Sequence, residues 1–391
     1  MRNWVVITLI VINCLLLAGC AGTVEIDNTV AVLAHGWDID GQLKVLSAQI
    51  ALPQAAASPE GATQTPKFMV ITSKGVSTAE AARSLSLRLP SKPLWSMADT
   101  LIIGEKVART DMGLFVDTAV RNPHLRYTML CFLSIGASPE EILKVQVPSE
   151  NYTGIALEEL INRQKEVYYT YIPVDLKHFL FRAVTEGIEP IIPQVKIEKK
   201  DRKDILILDG IAVFKGPRLV GSLDKDQSRG LTLLTPDISR MGLINIDNPL
   251  IPARQKESIF ETLTLEINDY NPRIKPVFNG DEVSFQIIID VDASIIEQNS
   301  TQDLSQGQAF DKIEKAASMK LREDVLSSIR QAQNLESDIF GWGLEIKRRH
   351  PKEWKSMGTR WAEIFPTVKS DVKINVHLRK SYLQRKGFTF K

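Results

Sequence analysis

The stretch Asn279-Gly280-Asp281-Glu282-Val283-Ser284-Phe285-Gln286-Ile287-Ile288-Ile289-Asp290-Val291-Asp292 decides the fold class. Val283, Phe285, Ile287, Ile289 and Val291 recur at every second position, so they share one face of a strand. Asn279-Gly280 ahead of them is a strong short-range hairpin signal, because a tight turn needs positive φ and these residues supply it at low cost. Leu263, Leu265 and Ile267 carry the same alternation upstream, which predicts an antiparallel hairpin. Val372, Ile374, Val376 and Leu378 predict a further alternating strand. Between them Phe310, Ile313, Ala317, Leu321, Val325, Ile329 and Ala332 recur at three- or four-residue spacing, one apolar stripe on a helix over about 308–332. The second half is therefore expected to be α+β, with mainly antiparallel strands and one long helix.

Upstream the rhythm changes. Strands are predicted at 29–34 and 43–52, joined through Asp38, Asp40 and Gly41, and the small, proline-punctuated residues 53–66 read as a surface loop. Next come a strand at 68–71 and a helix at 78–89, where Ala81, Ala82, Leu85 and Leu89 share a face until Pro90 stops it. A strand at 100–103, a helix through Phe115 and Val116, a strand at 127–135, and helices at 156–167 and 176–185 follow. This βα alternation predicts an α/β region with a mixed sheet, as one body or two lobes. The charge cluster at 198–204 sets the principal boundary, and a hairpin around Gly216 and Pro217 joins strands at 204–215 and 218–223. The expected division is a signal peptide at 1–19, a tether at 20–28, an N-terminal α/β region at 29–200 and a C-terminal α+β domain at 201–391.

The signal and tether rest on the N-terminus. Arg2 gives a positive start, residues 4–17 are apolar except for Thr8 and Asn13, and Leu17-Ala18-Gly19-Cys20 forms a lipobox. The run is short against the roughly 20 residues a bilayer span requires, so cleavage before Cys20 is expected. A diacylglyceryl group on the Cys20 thiol supplies two chains, and each buried methylene contributes about 0.8 kcal/mol, enough to anchor a domain without a spanning segment.

With 44% hydrophobic and 24% charged residues among 391, the composition is globular. Lys and Arg number 48 against 47 Asp and Glu, which excludes the overall basic balance of a nucleic-acid binder. The balance is uneven, since residues 342–391 hold 13 Lys or Arg against 4 Asp or Glu. The excess reads first as a solvated basic surface; the functional expectation beside it is that Arg379, Lys380, Arg385, Lys386 and Lys391 face lipid headgroups or an acidic partner loop. Of three cysteines, Cys14 lies in the signal, Cys20 is the lipidation site and Cys131 reads as a buried apolar residue, so no disulfide framework is expected.

Catalytic patterns are absent from the sequence. His35, His124, His178, His350 and His377 show no metal-binding spacing, and no nucleophile elbow, phosphate loop or dinucleotide fingerprint occurs. Asp290 and Asp292 share a strand face and read as its wet side rather than as an acid–base pair. Trp342, Trp354, Trp361 and Phe365, interleaved with Gly341, Gly343 and Pro351, read as anchors pinning an irregular segment onto the core.

Several segments together are similar to one family. They are Cys20 in its lipobox, Glu25-Ile26, Ser73-Lys74-Gly75 with Glu80-Ala81, Ile102-Ile103-Gly104-Glu105, and Arg121-Asn122-Pro123. The second half adds Asp209-Gly210, Ala212 to Lys215, Leu219-Val220-Gly221 and Leu223. Most specific are Asp338, Phe340, Gly341 and Gly343, followed by Pro351, Trp354, Trp361 and Phe365. In order and spacing they resemble the Ger(x)C family, the C-subunit lipoproteins of bacterial spore germinant receptors. One departure is Ala21-Gly22, where the family usually carries an aromatic and an acidic residue after the lipidated cysteine.

The resemblance implies a subunit without enzymatic activity, cofactor or nucleic-acid partner, held on the outer face of the spore inner membrane. It implies assembly with integral-membrane A- and B-type subunits, to which nutrient recognition chiefly belongs. Cys20 is the one residue assigned a functional role, while Gly210, Phe214, Gly221, Phe340, Gly341, Gly343, Trp354 and Trp361 are expected to be structural. Two other classes compete. A solute-binding lipoprotein requires two similar lobes, whereas the halves here differ. An envelope enzyme requires a convergent catalytic set, for which Asp290 and Asp292 are the lone candidates.

Overall fold

The computed structural model describes residues 3–4, 28–52, 67–167, 170–201, 203–236, 242–251, 262–280, 282–298 and 307–381. The lipobox with Cys20 and the expected loop at 53–66 lie outside the described residues.

The first sheet is built around β1 (Thr29–Asp40), β5 (Thr100–Gly104), β6 (Leu130–Ser134) and β7 (Ile191–Lys200), which lie parallel to one another. Every residue of β5 is buried, the pattern of a strand covered on both faces. On one flank β2 (Leu43–Ala51) and β3 (Phe68–Gly75) add antiparallel strands, and β4 (Lys92–Leu94) pairs with the start of β1. On the other flank β8 (Lys203–Lys215) and β9 (Arg218–Leu223) do the same, giving nine strands with the path β3-β2-β1-β5-β6-β7-β8-β9. The charge cluster at 198–204, expected as the principal boundary, includes the adjoining ends of β7 and β8, where Lys199 pairs with Asp204 and Lys200 with Lys203. The large sheet therefore runs through that point without a break.

Helices α1 (Thr78–Ser86), α2 (Glu105–Thr110), α3 (Gly113–Arg121), α4 (Pro139–Lys144), α5 (Thr153–Val167) and α6 (Leu176–Val184) connect these strands. Local chemistry starts them: Ser77 accepts from the Glu80 N–H at α1, and Ser138 with Glu141 forms a capping box at α4. The first strand extends past the expected 29–34 to Asp40, because Gly36, Trp37, Asp38 and their neighbours are paired by β2 and β5 although their sequence lacks strand alternation. The turn narrows to Gly41, at φ +60°, and the next residue. Helix α1 ends at Ser86 rather than Leu89, and Leu87 points into solvent. The strand expected at 127–135 shortens to 130–134, since the preceding backbone at Tyr127 and Met129 bonds instead to Lys177 and Leu176 at the start of α6.

The second sheet has the order β10-β11-β12-β13, where β10 is Gly242–Asp247, β11 Thr262–Asn279, β12 Glu282–Gln298 and β13 Lys369–Ser381. The β11–β12 hairpin turns through Gly280 at φ +60°. Val283, Phe285, Ile287, Ile289 and Val291 are all buried, as their alternation predicts. Strand β13 adds parallel to β12, so two of the three pairings are antiparallel. After the two-turn helix α7 (Lys225–Leu233), which follows β9 directly, the long α8 (Gly307–Asn334) packs its predicted stripe against this sheet. Ile313, Ala317, Leu321, Val325, Ile329 and Ala332 are at most 2% exposed. The architecture is α/β with a mixed sheet followed by α+β with one long helix.

Candidate functional site: the joint between the sheets

The motif that carried the resemblance begins just after α8. Asp338 is buried, and its carboxylate accepts hydrogen bonds from the backbone N–H groups of Gly341 at 2.9 Å, Trp342 at 3.1 Å and Gly343 at 2.8 Å, and from Trp361 Nε1 at 2.9 Å. Burial pushes the Asp338 carboxyl above its ordinary range, and these donors pull it back. With four N–H groups aimed at it, the ionised form is the one the site is built to hold. Gly341 sits at φ +73°, a conformation costly for any residue with a Cβ, and starts α9 (Trp342–Arg349).

From this knot the aromatic residues spread onto the second sheet. Trp342 stacks on Phe285 of β12 with centroids 4.4 Å apart, and Phe340 and Phe365 pack around it at 5.1 and 5.9 Å. Trp354, on α10 (Pro351–Met357), meets Trp361 at 5.9 Å. The reading of Trp342, Trp354, Trp361 and Phe365 as anchors agrees with this packing.

The same motif also grips the first sheet. The Glu189 N–H donates to the Asp338 carbonyl at 2.9 Å, and the Leu344 N–H to the Gly187 carbonyl at 2.8 Å. Gly187 and Gly343 touch so closely that a Cβ on Gly187 would lie 2.5 Å from the Gly343 carbonyl carbon. Arg182, from α6, donates to the carbonyls of Glu189 and Ile339. Burial lowers the Arg182 guanidinium to about 10, which leaves it charged at neutral pH. Ser337 Oγ donates to the Phe214 carbonyl at 2.6 Å, and the Lys215 ammonium pairs with Glu336 at 2.6 Å.

A second contact runs helix to helix. Arg229 of α7 pairs with Asp324 of α8 at 2.6 Å and with Asp226 at 2.7 Å, and Lys320 bridges the same two carboxylates at 2.7 and 2.9 Å. The Tyr270 hydroxyl of β11 donates to the Thr232 carbonyl at 3.1 Å. The charged and hydroxyl groups named here bond to backbone or to one another, so the joint ties the two sheets together at several points.

The other sequence-derived candidates are scattered. Asp290 and Asp292 lie on the outer face of the second sheet, where Asp290 pairs with Arg273 at 2.7 Å and Asp292 with Arg379 at 2.9 Å. The Asn375 amide and Arg273 hold the Asp290 carboxyl below its ordinary range. Arg379 is thus engaged within the chain, while residues 382–391 lie outside the described residues. Cys131 is buried and free, and its thiol is pushed up by burial. Among the described residues no group of His, Cys, Asp and Glu is placed to hold a metal ion. Arg182, Gly187 and Glu189 escaped the sequence reading, because their roles come from contacts with residues about 150 positions away.

Two sheets of different build are thus joined through the Asp338 turn and through the contact of α7 with α8. The sequence matches the family model described as "Spore germination protein N-terminal domain" over residues 22–197, and that described as "Spore germination B3/GerAC like, C-terminal" over residues 209–382. The chain belongs to the Ger(x)C family, the family of germinant receptor C subunits. Among its relatives, spore germination protein KC of Bacillus subtilis (strain 168) is 23% identical over 403 residues, covering 98% of this chain and 97% of the relative. The crystal structure of the GerBC protein has the same fold, with TM-score 0.58 and 20% identity, over 89% of this chain and 98% of that one.

Proposed function

We propose that this chain is the lipid-anchored C subunit of a spore germinant receptor, acting without catalysis through assembly with integral-membrane A- and B-type subunits. The observation that carries the reading is the pair of germination family models, matched in order from residue 22 to residue 382 and starting just after the Cys20 lipobox. The anchor is diacylglyceryl-Cys20, cleaved from the signal at 1–19. The tether at 20–28 then holds the chain from residue 29 onward on the extracytoplasmic face, which is the outer face of the spore inner membrane. Among the described residues no helix is long and apolar enough to cross a membrane, and in this reading the lipid on Cys20 is the attachment. Confinement to a thin layer above the bilayer raises the effective concentration toward membrane partners, and a modest interface then suffices.

Deleting the gene and following dipicolinic acid release from purified spores over a panel of nutrients tests this reading, with an alkylamine as receptor-independent trigger. Loss of one nutrient response with the alkylamine response intact is expected; an unchanged profile in a strain lacking parallel receptors would refute it. Cys20→Ala is expected to move the protein from the membrane fraction to the soluble fraction, and an unchanged distribution would mean that the N-terminal segment is retained as the anchor.

A further inference from the structure

Away from the joint, the first sheet carries a cavity of about 380 Å³ between its β1–β2 face, α1 and α3. Its interior is apolar, lined by Trp37, Leu46, Ala82, Trp95 and Leu125. Against this lining stands His35 of β1, only 1% exposed, with both ring nitrogens buried and without a hydrogen-bond partner. The Thr78 hydroxyl, at the first turn of α1 and also on the cavity wall, is buried and unpartnered too. Buried polar groups left unpaired are rare and costly, and three such atoms around one cavity point to something that fills it.

We propose that this cavity is a binding site for a compact, uncharged, largely apolar molecule carrying one hydroxyl or carbonyl group, which His35 and Thr78 recognise. The volume lies at the small end of ligand pockets, which run from about 300 to 1,000 Å³. An imidazole in this setting is neutral, so it offers one donor and one acceptor and no counter-charge for an ion. Asp117 and Arg121 at the rim already pair with each other at 2.9 Å, which leaves the mouth electrically balanced. His35 is bracketed by Trp37 and Trp95, each with centroid 5.9 Å away, so the polar group is fixed in a ring-lined wall suited to a ring or a short branched chain. The proposal stands whether or not the chain assembles with membrane subunits.

The test uses the full chain in nanodiscs, with cyclohexanol as probe and methylcyclohexane as its hydroxyl-free counterpart. Both are optically silent, so a change in the chain's tryptophan emission, to which Trp37 and Trp95 contribute from the cavity wall, reports occupancy. A saturable change is expected, with cyclohexanol about tenfold tighter than methylcyclohexane, the range of a hydrogen bond to a buried group otherwise left unpaired. Ala82→Leu, which pushes a larger side chain into the cavity, is expected to abolish the response, while His35→Phe keeps binding and loses the preference for the hydroxyl. Thr78→Val, a milder change, is expected to reduce the same preference. A response that survives Ala82→Leu would mean partition into lipid, and a preference that survives both His35→Phe and Thr78→Val would remove their role; either overturns the proposal. So does a crystal soaked in cyclohexanol that shows water alone in the cavity.

Discussion

His35 illustrates how one side chain couples the core to pH. Burial lowers its imidazole from the ordinary 6.5 to about 4, so between these values the unfolded chain takes up a proton that the folded chain refuses. Stability is then full above pH 6.5 and falls as pH drops toward 4, by about 3 kcal/mol over the window. Urea titrations of the wild type and His35→Phe at pH 7, 5.5 and 4.5 check this: the gap between them should swing toward the Phe variant as pH falls, and a constant gap would contradict it. In the sequence His35 was one of five isolated histidines, and nothing local marked it. The flanking Gly36 and Asp38 interrupt strand alternation, and only pairing of β1 with β2 and β5 buries the ring. Asp338 was legible as part of a motif, and the aromatic residues after it as anchors. Its four-donor environment was not, because that depends on Trp361 folding back over the turn.

Among the elements, α8 was the most legible, since a seven-residue stripe at helical spacing has one sensible use. The β11–β12 hairpin was equally clear from its alternation and Asn-Gly turn. The partner of each element was harder to read. Strand β13 shows the same alternation that an antiparallel strand would, and its parallel addition follows from α8, which runs back along it from Glu314, bonded to the Leu378 N–H, to Gln333, bonded to the Val368 carbonyl. The clamp between α7 and α8 was equally hidden. Arg229 and Asp324 stand 95 residues apart in sequence, and Gly230 lets the helices approach until a Cβ there would lie 2.2 Å from the Asp324 carbonyl oxygen. Asp324→Ala leaves the Arg229 guanidinium buried with Asp226 alone, and a loss of about 3–5 kcal/mol in denaturant titrations is expected. A loss below about 1 kcal/mol, the worth of a surface pair, would mean that water reaches the arginine.

For the whole molecule, the sheet's continuity through the expected boundary has a direct consequence for dissection. A fragment of residues 29–200 leaves the edge of β7 bare, and a fragment of residues 201–391 leaves β8 and β9 without their sheet. Exposed strand edges of this kind pair with other chains. Each fragment is therefore expected to aggregate when expressed alone, while co-expression restores a soluble pair detectable by size-exclusion chromatography. Soluble monomeric fragments would show that the joint is dispensable. The two-part build was readable from the change in strand and helix rhythm; the sheet crossing it was not, because charged residues at a tight hairpin turn look the same as those of a linker. The expected tether also enters at an informative place. Nine residues reach at most about 30 Å, and they feed into β1, which pairs with β4 from Thr29 to Ala31, with β2 from Val32 to Asp40 and with β5 from Ala34 to Trp37. Tension along such a leash passes first to a strand with partners on both sides, so the pull is shared among neighbouring strands instead of falling on a sheet edge.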